Sequence, residues 1–303
     1  MNHTPIITEP LGAPESQVPL TLGRPALPSR MSTPPDTAGV ARRTFVISDA
    51  HGYPQFIESA LEHGGFCPGV DAFIYAGDFL DRGPDGQGCL DLIERYATEV
   101  LLGNHELAIL IGFPLFEQTP ETRAYRQLIR ERVFADDSAT RWNMVSHLDG
   151  ILVSHAGISE SYRSVFEGEC QDDPSRLATY LNEAFLANLR QVDSTYDWED
   201  EGILGYDGPL WFRPQPYSNR LPLAGVTQVV GHTPPLLHLE AAGFFMVDPC
   251  VFQGVGDSPR YRYGLIENGR VQVAEGILDD GPVRFMMSPR GTRHTRALDV
   301  SRR

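Results

Sequence analysis

The chain has 303 residues, of which 41% are hydrophobic, 21% charged and 10% aromatic, and this ordinary globular composition excludes a wholly disordered protein. Its 40 acidic residues exceed its 25 basic residues and leave a net charge of −15, which repels polyanionic backbones and argues against nucleic-acid binding. Because no run of about 18 consecutive apolar residues is present, no membrane span is predicted.

The two ends of the chain differ in composition from its middle. Residues 1–40 hold 8 of the 24 prolines, and this density of proline predicts a disordered leader because proline blocks helices and central strands. The spacing of Pro25 and Pro28 also fits a docking motif for a proline-binding partner. No Lys or Arg precedes Arg24 and no apolar signal core is present, so no signal peptide is expected. Residues 284–303 are rich in arginine and are predicted to form a flexible tail.

Cysteine usage indicates a reducing compartment. The four cysteines lie far apart in the sequence and form no Cys-x-x-Cys pair, which argues against a structural zinc site. Together with the lack of a signal peptide, this pattern predicts free thiols and a cytoplasmic protein. The four are Cys67, Cys89, Cys170 and Cys250.

Residues 41–283 are predicted to form one α/β domain, because short apolar runs alternate with helical patterns. The early runs suit strands that are buried on both faces, and they occupy 45–48, 72–76, 100–102, 151–154 and 226–230. Helical patterns between them occupy 54–63, 88–97, 121–134 and 174–192. Later strands are predicted at 244–247, 262–266 and 270–273, with the last two joined by an Asn268-Gly269 hairpin turn.

Each of the first five predicted strands ends in polar residues of the kind that bind metals. The five sequences are SDAHG at 48–52, GDFLDRG at 77–83, GNHE at 103–106, SHAG at 154–157 and GHT at 231–233. This repetition predicts that all five ends meet at one edge of a sheet. Asp49 and His51 are two residues apart at a strand end, so both side chains are expected to point to the same side. Carboxylate, amide and imidazole ligands together suit manganese, iron or zinc better than calcium.

These five motifs resemble those of the calcineurin-like metallophosphoesterases, and within them the phosphoprotein phosphatase family that includes Ser/Thr protein phosphatases. GDFLDRG followed by GNHE is the most specific pair, and the resemblance spans Phe45 to about Val273. It implies a layered fold with two central mixed β-sheets flanked by helices. It also implies two divalent ions, manganese first and iron or zinc as alternatives. The implied ligands are Asp49, His51 and Asp78 for one ion, and Asp78, Asn104, His155 and His232 for the other.

The resemblance also implies catalytic roles. His105 would be the general acid, with Asp81 orienting its ring, and it should point away from Asn104 if the backbone there is extended. Arg82 and Asn104 would bind the substrate phosphate. Arg213 follows a Leu-Trp pair, as a second phosphate-binding arginine does in family members, although a surface arginine is the open alternative.

Residues near these motifs have simpler expected roles. Glu106 is expected to support the start of a helix or the residues around the metals, and not to bind metal itself. Asp248 fits equally a residue supporting the metal ligands and a turn residue before a proline. Three histidines outside the motifs are expected to be ordinary core or surface residues: His63, His147 and His238.

Three departures from the family pattern indicate a bacterial-type member. Ser48 replaces the usual glycine of the first motif, Leu102 replaces the arginine that most eukaryotic members carry before GNHE, and residues 247–251 replace their Ser-Ala-Pro-Asn-Tyr loop. All implied ligands and the acid are nonetheless present, which argues against a non-catalytic binding module.

The implied activity is hydrolysis of phosphate monoesters by attack of metal-bridging hydroxide. The leading substrate is a phosphoserine or phosphothreonine protein. The alternatives are a nucleotide or dinucleoside polyphosphate, whose hydrolases usually carry GNHD in place of GNHE, or a small-molecule phosphomonoester.

Overall fold

A computed structural model of the chain describes residues 43–115, 118–137, 141–191, 202–215, 220–235, 237–249 and 259–278. The predicted leader, the predicted tail and Cys250 therefore lie outside the described residues. The other three cysteines are free thiols, as expected. Across the described ranges, no helix is both long enough and apolar enough to span a bilayer.

Nine strands in the described residues form two mixed sheets, which confirms the expected architecture. In chain order they are β1 Thr44–Ile47, β2 Ala72–Ala76, β3 Glu99–Leu101, β4 Val145–Leu148, β5 Ile151–Ser154, β6 Thr227–Val230, β7 Phe244–Met246, β8 Arg260–Glu267 and β9 Arg270–Ile277. The first sheet has the order β3-β2-β1-β8-β9. Strands β1 to β3 are parallel to one another, and β8 is antiparallel to both of its neighbours, β1 and β9. The second has the order β4-β5-β6-β7, in which only β4 is antiparallel to its neighbour.

The helices largely follow the predicted pattern. Their bounds are α1 Pro54–His63, α2 Gly86–Tyr96, α3 Asn104–Ile111, α4 Pro120–Arg123, α5 Arg126–Val133, α6 Arg163–Glu167, α7 Pro174–Leu189 and α8 Leu237–Glu240. The helix predicted over 54–63 is confirmed residue for residue as α1. The single helix predicted over 121–134 is wrong, because the chain forms the two short helices α4 and α5 there. A helix start was expected at Glu106, but the extent of α3 was not predicted, since all eight of its residues are buried and it has no polar face.

The core forms on both faces of the sheets because side chains alternate along each strand. Val46 and Ile74 of the first sheet pack with Val153 and Val229 of the second, so the sheets face each other. The neighbours of these residues in β1 and β2 point the other way, into a core shared with the helices. Burying each large apolar side chain contributes about 1.5–3 kcal/mol. This packing makes the strand ends a rigid base for the loops that follow them.

Candidate active site

The loops that follow β1, β2, β3, β5 and β6 meet at one edge of the paired sheets, where the motif pattern predicts the edge of a single sheet. The Asp49 amide donates to the Gly77 carbonyl oxygen at 2.9 Å and joins the first two loops. His155 Nδ1 donates to the Ala76 carbonyl oxygen at 2.9 Å, and the His232 amide donates to Asp49 Oδ2 at 2.9 Å. These last two bonds connect the second sheet to the first. The six predicted metal ligands therefore share one buried cluster.

The backbone of the ligand loops is not extended, and this corrects the expectation for the first motif. Strand β1 ends at Ile47, and Asp49, His51 and Asp78 have left-handed φ angles of 54°, 46° and 61°. Residues with side chains hold such angles at a cost of about 1–3 kcal/mol each. Hydrogen bonds offset this strain, including one of 3.0 Å from the His51 amide to the Asp78 carbonyl oxygen.

Two glycines give the carboxylates room. A Cβ placed on Gly103 would overlap Asp78 Oδ1, and one placed on Gly231 would overlap Asp49 Oδ2. Both glycines are therefore required by the close approach of the backbone to a carboxylate.

The first group of converging side chains consists of His51, Asp78 and His105. His51 Nδ1 donates to the Leu80 carbonyl oxygen at 2.9 Å, which leaves the lone pair on Nε2. That nitrogen lies 3.5 Å from Asp78 Oδ2 and 3.9 Å from Asp49 Oδ1. Burial, with the nearby Arg82 guanidinium, holds the pKa of His51 well below its usual range. A neutral imidazole nitrogen thus faces carboxylate oxygens, which is the arrangement of a metal ligand.

The second group consists of Asp78, His155 and His232, with Asn104 beside them. His155 Nε2 lies 2.9 Å from Asn104 Oδ1, 3.2 Å from His232 Nδ1 and 3.4 Å from Asp78 Oδ2. Burial lowers the pKa of His155, but the carboxylates of Asp78 and Asp49 and the hydrogen bonds of the ring together outweigh it and raise the pKa to about 9. A proton on His155, or a metal ion, gives these acceptors a positive partner.

The residues present fit a pair of divalent ions. Among the described residues, the buried Nε2 of His232 has no hydrogen-bond partner. Asp78 belongs to both groups, and it is almost completely buried. The attraction of three imidazoles outweighs burial and holds the pKa of Asp78 well below its usual range. A buried carboxylate between two sets of nitrogen and oxygen acceptors suits manganese, iron or zinc.

Arg82 lies against the first group, of which His105 is a member. His105 Nδ1 contacts Asp81 Oδ2 at 2.6 Å, as expected for an oriented ring. Burial lowers the pKa of His105. Attraction to Asp78 and the hydrogen bond to Asp81 together raise it by more, so the net shift is upward. Arg82 contacts the Nε2 atoms of both His51, at 3.0 Å, and His105, at 3.2 Å.

The premise behind the predicted direction of His105 is wrong. Asn104 and His105 are the first two residues of helix α3, and the backbone there is not extended. The two side chains still reach different groups, because successive helical residues project about 100° apart. Asn104 contacts His155, whereas His105 contacts Asp81.

Arg213 and its neighbours lie at the exposed side of the cluster. Arg213 is exposed, and its guanidinium donates to the His232 carbonyl oxygen at 2.6 Å. Trp211 packs edge-on against the His232 ring, with 6.3 Å between the ring centres. The predicted second arginine is therefore adjacent to the second group.

Three residues outside the motifs have the following positions. Asp248 is half-buried and lies two residues after the end of β7. His63 bonds to the Tyr263 hydroxyl at 3.1 Å, and His147 accepts the Gly150 amide at 3.1 Å. Neither histidine belongs to the metal-ligand groups.

The sequence profile of the calcineurin-like phosphoesterases matches residues 42–263, which covers every residue of this cluster. The chain belongs to this family. Members use divalent metals, and the two groups around Asp78 supply His and Asp residues able to hold them. The chain is therefore a phosphoric ester hydrolase.

Relatives of this phosphoesterase carry two kinds of name. Serine/threonine-protein phosphatase 1 of Salmonella typhimurium is 27% identical over 217 residues, which are 70% of this chain and 89% of that protein. The symmetrical bis(5'-nucleosyl)-tetraphosphatase of Pseudomonas putida is 30% identical over 154 residues, which are 46% of this chain and only 53% of that protein. A crystal structure of the cold-active protein-tyrosine phosphatase of a psychrophilic Shewanella species superposes with a TM-score of 0.53. It is 19% identical and covers 79% of this chain and 81% of that one, which shows a shared fold.

Glu106 holds the phosphoesterase loops together, in agreement with the expected supporting role. Its Oε2 accepts the amides of Asp78, at 2.8 Å, and Gly103, at 3.0 Å. Its Oε1 accepts the amides of Phe79, at 3.1 Å, and Leu80, at 3.3 Å. Burial and the Asp78 carboxylate raise the pKa of Glu106 to about 7. The fully buried carboxyl group thus fixes the backbone that carries Asp78.

A role of Tyr75 in the site was not predicted from the sequence, although Tyr75 lies in the predicted strand β2. Its hydroxyl lies between the first two ligand loops. The available signal was one hydroxyl group within an otherwise apolar, buried strand.

Proposed function

We propose that this phosphoesterase hydrolyses phosphate monoesters with two divalent ions, most favourably manganese. The observation that carries the proposal is the convergence of carboxylate, amide and imidazole acceptors on both sides of Asp78. Asp78 would touch both ions, with Asp49 and His51 on one side. The ligands on the other side would be Asn104, His155 and His232.

The bound ions would clamp the phosphate and lower the pKa of coordinated water, so that hydroxide is available near neutral pH. Two divalent ions carry four positive charges against the two negative charges of Asp49 and Asp78. The centre therefore stays attractive to phosphate although the whole chain carries a charge of −15.

Three side chains of this chain would bind the phosphate oxygens. Arg82 already lies between His51 and His105, and its guanidinium would exchange these two nitrogen contacts for phosphate oxygens. Asn104 would add its amide group from the start of α3. Arg213, beside His232, would bind from the exposed side of the site.

His105 would supply the proton that the departing oxygen needs. Asp81 holds Nδ1 at 2.6 Å, so that Nε2 is the atom that faces the reacting groups. The carboxylates of Asp78 and Asp81 favour the protonated ring and raise its pKa. A positioned acid of this kind contributes about 10²–10⁴-fold to the rate.

The leading substrate is a protein phosphorylated on serine or threonine. The relative from Salmonella typhimurium that bears this activity in its name is matched over 89% of its length, against 53% for the tetraphosphatase of Pseudomonas putida. The second candidate is a dinucleoside tetraphosphate, and the 30% identity to that enzyme favours it.

A substrate panel tests the proposal. The metal-stripped protein receives manganese and is assayed with phosphoserine and phosphothreonine peptides, diadenosine tetraphosphate and small alkyl phosphates. We expect the phosphopeptides to give the highest kcat/KM. A higher value for the dinucleotide would replace the leading substrate with the second candidate, and no manganese-dependent turnover of any substrate would refute the proposed function.

A further inference from the structure

Tyr75 is a fully buried residue of β2 whose ring belongs to the core between the first sheet and the helices. It packs edge-on against Phe73 and Phe79, with ring centres 6.3 Å and 6.4 Å away. Phenylalanine would fill the same space. The packing alone therefore gives no reason for a hydroxyl group here.

The hydroxyl group makes two hydrogen bonds, one to each of the first two ligand loops. It accepts the Ala50 amide at 3.1 Å and donates to the Asp78 carbonyl oxygen at 3.2 Å. Ala50 lies between Asp49 and His51, and the Asp78 carbonyl oxygen also accepts the His51 amide. One buried oxygen thus connects the backbone segments that carry three proposed ligands.

The loops need such connections because their backbone is strained. Asp49, His51 and Asp78 all have left-handed φ angles, which relax unless the surroundings hold them. The Ala50 amide donates to the Tyr75 hydroxyl. Without this acceptor the buried amide would be unsatisfied, which costs free energy and favours a shift of the loop. A shift of this segment would move Asp49 and His51 relative to Asp78.

We infer that Tyr75 is a positioning residue for the metal centre, and that its hydroxyl sets the affinity for the ions by fixing the two loops against each other. The inference rests on the proposed function, because it takes these three residues as ligands. It requires no contact between Tyr75 and metal or substrate.

Manganese titration of the metal-stripped protein by calorimetry tests this role with Tyr75→Phe. The matched control is Tyr263→Phe, which removes a buried tyrosine hydroxyl that bonds His63 at the last residue of α1. We expect manganese to bind Tyr75→Phe about 10–100-fold more weakly, as is typical when a residue that supports metal ligands is lost. Tyr263→Phe should bind as the unchanged chain does.

Hydrogen exchange of the Ala50 amide provides a second measurement that needs no metal. Tyr75→Phe should exchange this amide faster, whereas Tyr263→Phe should leave it protected. Equal manganese affinity in Tyr75→Phe and the unchanged chain would overturn the inference. Unchanged protection of the Ala50 amide in Tyr75→Phe would also overturn it. Either result would leave the proposed function standing. If the unchanged chain itself bound no manganese, the proposed function would fail.

Discussion

Glu106→Gln tests how strongly one carboxyl group holds the centre together. Both Glu106 oxygens are acceptors, and each receives two backbone amides from the segments 78–80 and 103. Glutamine has the same size and shape, but its side-chain nitrogen donates and cannot accept. Whichever way the new amide group turns, two buried backbone N–H groups lose their acceptor.

The expected loss follows from these two groups. Each buried donor left unsatisfied costs about 1–3 kcal/mol, so Glu106→Gln should lower the free energy of unfolding by about 2–6 kcal/mol. Small domains have about 5–15 kcal/mol in total, which makes this a large fraction. Either pair includes at least one amide of segment 78–80, which carries Asp78, so manganese affinity should fall as well.

Urea unfolding at pH 8, in the presence of chelator, measures the change. This pH lies above the pKa of about 7 for Glu106, so the unchanged chain carries the carboxylate. Glu94→Gln is the control, since Glu94 is exposed and pairs with the surface residue Arg132 at 2.6 Å, a contact worth about 0–1 kcal/mol. A loss for Glu106→Gln no greater than for Glu94→Gln would refute the reasoning.

Three further variants address the acid, the shared ligand and the backbone. His105→Asn should slow hydrolysis of an alkyl phosphate about 10²–10⁴-fold but affect nitrophenyl phosphate far less, because nitrophenolate leaves without a proton; equal losses with full metal content would remove the acid role. Asp78→Asn should abolish binding of both ions whereas Asp49→Asn should retain one, as elemental analysis would show, and two ions in Asp78→Asn would contradict the shared position. Gly77→Ala should lower the melting temperature more than Gly225→Ala, because both glycines have left-handed φ angles but only a Cβ at Gly77 meets backbone atoms. Equal shifts in melting temperature would show that the loop moves to accommodate the Cβ, and would contradict this expectation.

The position of the site was predictable from the order of residues along the chain. Polar groups such as Asp49 and Asp78 follow the parallel strands β1 and β2, which bring their ends to one edge of the first sheet. His155 follows β5 of the second sheet, and the presence of two sheets was expected from the family resemblance. The pairing of His105 with Asp81 followed from the family resemblance, and the structure places the two atoms 2.6 Å apart. Local pattern, strand polarity and the family resemblance were together sufficient for this level of description.

The local geometry could not be predicted in this way. Asp49 and His51 were expected on an extended strand, but contacts distant in sequence hold them in left-handed conformations. Helix α3 has no amphipathic period because the fold buries it on all sides. The role of the Tyr75 hydroxyl depends on loops that meet only in the folded chain.

Metal stoichiometry measured together with turnover tests the central claim most directly. The protein is stripped with chelator, manganese is added in steps, and bound metal and hydrolysis of a phosphoserine peptide are followed in the same samples. We expect no turnover without metal, and full activity when two manganese ions are bound per chain. Full turnover by a preparation shown to be free of metal would contradict it.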